Sequence, residues 1–183
     1  MKAKALIIFL LVSQTATLVI GQGFFAYKLP LLGGDTLDCN KLRGQKVMIL
    51  AGLPAQVDSQ YYAFKNFATA HSDLIIIGLI QGDESDVSLA NAKKIAGFYD
   101  GMTIVFALPG KLGKASGSQQ IPLAQWLTRK ELNSHFDRDA NEIGTRFFVD
   151  ETGRLYAVIG AQTPWTSPIF AKILSAKPPL TPQ

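Results

Sequence analysis

The chain has little of the residue types that most often carry nucleophilic or metal chemistry: one cysteine, Cys39, and two histidines, His71 and His135. A single cysteine excludes an internal disulfide and leaves a buried thiol, a reactive one, or a bridge to another chain. Neither histidine has a nucleophile-elbow motif nearby, so no Ser/His/Asp arrangement is recognisable. His135 stands close to Asp137 and Asp139, but one histidine without a second is a weak metal signal. Charge is sparse as well, at 17% of residues, with 18 basic against 14 acidic. So small and dispersed an excess argues against nucleic acid as a partner. No segment after residue 12 is long and apolar enough to span a bilayer, and no internal repeat occurs.

What is present begins with a leader-like stretch. Lys2 and Lys4 precede an apolar run from Ala5 to Val12, then the more polar Ser13 to Thr17, and Val19-Ile20-Gly21 before Gln22. The run is short for a membrane anchor, and no cysteine follows it for lipid attachment. The pattern predicts a signal peptide over 1–21, cleaved near Gly21-Gln22, and hence a periplasmic or secreted protein. Without Lys2 and Lys4 the net charge falls to near +2. The remaining length suits one domain, expected over 22–176, with a proline-rich tail at 177–183.

Along that domain, Phe24 to Leu29 alternates enough for an opening strand, Gly33-Gly34-Asp35 turns the chain, and Thr36-Leu37 returns. Asp38 to Gly44 reads as one capped helical turn ended by its glycine. Lys46 to Lys65 is the organising stretch: Val47 to Ala51 is a strand buried on both faces, then a Gly/Pro turn, then a helix from Ser59 to about Ala70. Ser59 is the expected cap, and Tyr62, Phe64 and Phe67 the apolar contacts. Asp73 to Ile80 is a second buried strand, Ser88 to Phe98 a helix, and Thr103 to Leu108 a third strand. Pro109 to Gln120 is expected as an exposed, mobile loop. Pro122 opens a helix predicted to run through Leu132. Thr145 to Asp150 and Arg154 to Ile159 form a hairpin with Gly153 in its turn, and Ser167 to Leu174 a last helix. This order predicts an α/β three-layer sandwich, a central mixed sheet flanked by helices.

Pro122-Leu-Ala-Gln-Trp-Leu-Thr-Arg-Lys-Glu-Leu-Asn133, followed by Arg146-Phe-Phe-Val-Asp-Glu-Thr-Gly153, resembles the C-terminal half of bacterial glutathione peroxidases. There a "PL..WLT.K.LN" helix precedes a "KFLID..G" hairpin. Further pieces follow in the family's order. Asp38 to Val47 resembles its turn and "LKGK" entry, Ser59-Gln60-Tyr61 its "PQY", and Ile75 to Gly78 its second strand. Tyr99 to Thr103 resembles its "YGVTFP", and Ala161 to Pro164 its closing "P.T.P". The resemblance implies a thioredoxin-like fold and a family that reduces hydroperoxides with thiols from glutathione or thioredoxin.

The family's reactive groups do not carry over. Peroxide reduction needs a thiolate or selenolate at a helix N-terminus. The family places its cysteine four or five residues ahead of "QY", where this chain has Ala55 and Gln56. Gln81 is the sole stand-in for the family glutamine, Glu142 and Ile143 occupy the Trp-Asn positions, and Val105 matches the proline before the third strand. No cysteine lies anywhere from Asn40 onward. Cys39 falls in the turn before the central strand, and Asp38 beside it raises a thiol pKa. It is either a structural thiol or a relocated nucleophile.

Two motifs fall short of their templates. Asp137-x-Asp139-x-Asn141 opens like a calcium loop, but Glu142 replaces the glycine at the sixth position and Phe148 the acid at the twelfth. Gly110 to Gly117 lacks phosphate-loop spacing, and Ala115 follows Lys114 where Ser or Thr is required. Trp126 reads as core, and Trp165, in a proline-flanked loop, as an exposed contact residue. The expectation is an exported scaffold without peroxidase activity, calling for no cofactor or metal. It binds an unknown protein or small-molecule partner on the face of Leu53, Pro54, Ala55, Gln56 and Trp165. The alternatives are a thiol enzyme acting through Cys39, for which glutathione or thioredoxin would be the partner, and metal chemistry at His135, Asp137 and Asp139.

Overall fold

The computed structural model describes residues 23–54, 58–83 and 85–178; the leader at 1–21, Ala55, Gln56 and the last five residues lie outside it. Strands β1 (Lys28–Pro30) and β2 (Thr36–Asp38) form an antiparallel pair. The main sheet has the order β5-β4-β3-β6-β7, from β3 (Val47–Ala51), β4 (Ile75–Leu79), β5 (Ile104–Phe106), β6 (Thr145–Val149) and β7 (Leu155–Ile159). β3, β4 and β5 run parallel, and β6 and β7 are antiparallel to their neighbours. This is the mixed sheet that the element order predicts.

Period-two alternation divides the core between the two faces. Val47, Ile49 and Ala51 of β3, with Phe147 and Val149 of β6, pack against Leu123, Trp126 and Leu127 of α3 (Pro122–Thr128). Met48 and Leu50, with Phe148, pack against Phe64 and Phe67 of α1 (Ser59–Ala70), Ala92 of α2 (Asp86–Phe98), and Phe170 and Ile173 near the carboxyl end. The result is three layers. None of the helices among the described residues is long and apolar enough to cross a membrane.

Several local expectations are corrected. Phe24–Ala26 is a 3-10 turn and not the start of a strand. Both Phe24 and Phe25 are buried, Tyr27 N closes the turn on Phe24 O, and Phe24 N donates to Gly153 O. Asp58, not Ser59, caps α1, accepting from the amides of Gln60 and Tyr61, and Tyr62 is exposed. The expected helix through Leu132 breaks at Arg129 (φ −116°, ψ 116°) into α3 and α4 (Lys130–Asn133). The break lets the buried Asn133 amide donate to Trp126 O (2.8 Å) and Phe136 O (2.9 Å). The last helix, α5, spans Ile169–Ser175.

Segment 109–120 is no loose loop. Leu112 and Gln120 are buried, Gln120 Nε2 donates to Leu112 O at 2.7 Å, and Lys114–Gln119 forms 3-10 turns on either side of a kink at Gly117. Asp139 Oδ1 accepts from Lys114 N, and Lys114 Nζ pairs with Asp137, so the failed calcium motif pins this segment.

The β6–β7 turn is held by Asp150. Burial by itself would raise its pKa. Hydrogen bonds from Thr152 and Arg154, with the Arg154 charge, prevail and lower it. A carboxyl that titrates lower when folded contributes stability above its unfolded pKa of about 4, lost as pH falls through the folded value. An Asp150→Asn variant is therefore less stable than wild type at neutral pH, with a gap that narrows on acidification. Melting temperatures from neutral pH downward check this; a gap independent of pH contradicts it.

Candidate functional site

Because β6 runs antiparallel to β3, the carboxyl end of β3 and the amino end of β6 meet at one edge, where Ala51 lies opposite Thr145. Gly52 turns the chain there at φ +68°, close under Ile143, and Gly144 N donates to the carbonyls of Ala51 and Gly52 at 2.9 Å. The amino end of α1 and the loop after β7 arrive at the same place. Between them lies a cavity of about 350 Å3, in the size range of small-molecule sites. Pro54, Asp58, Tyr61, Phe64, Tyr99, Ile143, Arg146, Gln162 and Trp165 are among its walls.

Three side chains give the cavity its character. Tyr99 Oη donates to Pro54 O at 2.9 Å, and burial, then the Asp58 charge and Tyr61, push its pKa up, keeping it a donor. Trp165 stacks on Phe170 (centroids 5.3 Å apart, 17° between planes) and packs on Phe64 and Phe67. Arg146 lies over Trp165, its guanidinium carbon 3.9 Å from the ring centroid, while Nη1 donates to Gly160 O and Thr163 O. Burial lowers the arginine's pKa to about 10, against the opposing pull of Glu142, so it stays cationic at neutral pH.

The residues singled out from sequence divide. Pro54, Ile143 and Trp165 line the cavity. Trp165 is not the exposed contact residue expected; it is 8% exposed, because its ring is drawn into the aromatic cluster. Leu53 is buried and packs over Gly78, where a Cβ would come within 2.9 Å of Leu53 Cδ1. Gln81 Oε1 accepts from Leu112 N at 3.0 Å, and the Glu142 carboxylate pairs with Arg138 at 3.2 Å; neither lines this cavity. Val105 sits at the centre of β5 opposite Ile77, not ahead of the strand.

Cys39 is fully buried on the other face of the sheet, in the cluster with Phe24 and Trp126. Burial and then the Asp38 charge push its thiol up to about 12. Asp137 and Asp139 are spent on Lys114, and among the described residues no three His, Cys, Asp or Glu side chains converge on a point.

Arg146 was missed in the sequence, although a signal existed. In Thr145-Arg-Phe-Phe-Val149 it shares strand parity with the core residue Phe148, so an arginine was due to point inward.

No family model matches the chain, and no curated protein matches it in sequence. Solved structures do match. The apo crystal structure of Trgpx aligns with a TM-score of 0.60 at 16% identity, over 83% of this chain and 93% of that one. T. cruzi GPX1 aligns at 0.56 with 13% identity, over 84% and 95% respectively. The dsbF protein of MTB, in mixed oxidized and reduced forms, aligns at 0.53 with 13% identity, over 82% and 95%. At such identities the likeness is one of fold: the chain has a thioredoxin-like α/β fold, shared with glutathione peroxidase-like proteins.

Proposed function

We propose that this chain is a binding or accessory module on a redox scaffold, without peroxidase activity, and that the cavity between β3, β6 and α1 is its binding site. The observation that carries this reading is the position of sulfur. The chain's single cysteine is buried on the far face of the sheet, while the cavity has a cation, a capped helix and aromatic walls. Burial and the Asp38 charge push the Cys39 thiol up, which disfavours the thiolate, the reactive form.

Hydroperoxide consumption, with thioredoxin or glutathione recycling, is expected to stay at background for wild type and for Cys39→Ser. Turnover that disappears in Cys39→Ser would restore the alternative, a thiol peroxidase with a relocated nucleophile. The leader-like 1–21 supports export as part of the same proposal. Mass analysis of the exported protein should then find Gln22 at its amino terminus; an uncleaved chain retained in the cytoplasm would reject export.

A further inference from the structure

Resting on the reading of this cavity as a binding site, we propose that it takes a small carboxylate with an apolar body, held by the Arg146 guanidinium. Arg146 is only 3% exposed, yet no carboxylate among the described residues forms an ion pair with it. The other buried charged side chain among the described residues, Asp150, is matched by Arg154 at 3.2 Å, and the partly buried Lys46 pairs with Glu151 at 3.2 Å. Glu142, whose charge reaches Arg146, is itself turned to Arg138.

The hydrogen bonds of the Arg146 side chain leave from Nη1, to Gly160 O (3.0 Å) and Thr163 O (2.8 Å), while Nε is buried without an acceptor. A guanidinium carries five N–H donors in a planar fork shaped to a carboxylate. Holding the loop after β7 accounts for Nη1 and for the stacking on Trp165 and Phe170, while Nε and Nη2 have no hydrogen-bond partner among the described residues. A buried cation retained without its counter-charge is costly, and an anionic ligand would complete it. Arg129 Nε also lacks an acceptor, but Arg129 is not part of this cavity.

The walls choose among anions. Arg146 is the sole cation among the described lining residues, and Asp58 lines the cavity as well, so a phosphate dianion would meet repulsion without a second positive group. Asp58 is committed to α1, its Oδ1 accepting from Gln60 N and Tyr61 N. Leu50, Phe64 and Trp165 supply apolar surface for the ligand's body.

The test uses benzoate and its uncharged isostere benzamide, each titrated into the folded chain at constant chloride. The readouts are the proton–nitrogen resonances of the Trp165 indole and Arg146 Nε–H. Benzoate should shift both with a saturating, millimolar curve, and benzamide should bind about thirtyfold more weakly or not at all. Arg146→Met, confirmed folded by circular dichroism, should abolish the benzoate response at Trp165; if that variant does not fold, the ligand pair still decides. Equal binding of the two ligands would overturn the carboxylate inference and leave the binding module standing. No shift from benzoate would also overturn it, whereas the module reading falls only to hydroperoxide turnover.

Discussion

Replacing Trp165 by alanine will cost about 3–5 kcal/mol of stability, the usual range for emptying a buried tryptophan site. Its ring is the hub of one core cluster, stacked on Phe170 and within 4.7 Å and 5.0 Å, centroid to centroid, of Phe64 and Phe67. Those partners come from α1 and α5, so the cavity left behind cannot be closed by moving a single element. A domain of this size has about 5–15 kcal/mol in total, so the variant will be marginal. The site will respond as well. Burial is what lowers the Arg146 pKa, so admitting water where Trp165 stood moves it back toward the ordinary arginine value. Urea unfolding checks the first effect. A loss below about 1 kcal/mol would mean that the loop after β7 is not docked as described. Trp165→Phe should recover part of the loss, because a smaller ring still stacks against Phe170 but covers less of the guanidinium.

The second large effect is expected at Gly153, far from the cavity. Gly153 sits at φ +87° in the β6–β7 turn, and a Cβ there would lie 2.6 Å from Phe25 Cδ2. Backbone strain and overpacking each cost about 1–3 kcal/mol, so Gly153→Val should lose about 2–6 kcal/mol. The Phe25 ring cannot simply retreat, since Arg43 lies over it at 4.6 Å and Phe24 N is bonded to Gly153 O at 3.0 Å. Displacing Phe25 therefore loosens the amino-terminal segment from the hairpin. Pairing the substitution with Phe25→Ala separates the two terms. If relieving the clash recovers none of the loss, conformation and not contact is responsible.

Much of the scaffold was legible because it rests on local chemistry. The uninterrupted apolar run from Val47 to Ala51 suits a strand covered on both faces, and Pro122 suits the first turn of a helix; the structure has both. The misreadings arose where tertiary hydrogen bonds overrode local pattern. Segment 109–120 looks like linker by composition, yet Gln120 and the Asp137–Asp139 loop give it acceptors and donors that a linker would take from water. The helix from Pro122 looks continuous until the Asn133 amide is seen to satisfy the carbonyls at its broken end.

The site divides along the same line. The absence of sulfur from the strand–helix turn follows from the sequence alone, since no packing can move a cysteine along the chain. Composition likewise set the small net charge and the lack of histidine clusters. Only the tertiary structure decided that Arg146 is buried without a carboxylate partner among the described residues, and that Trp165 is its platform and not an exposed contact. Those two residues stand at the open end of the β6–β7 hairpin, and neither one's surroundings are encoded in its neighbours. They meet because the antiparallel β6–β7 pairing returns the chain past Ile159, opposite Arg146, into the loop that carries Trp165. That meeting depends on strand register and loop path, which local pattern does not contain.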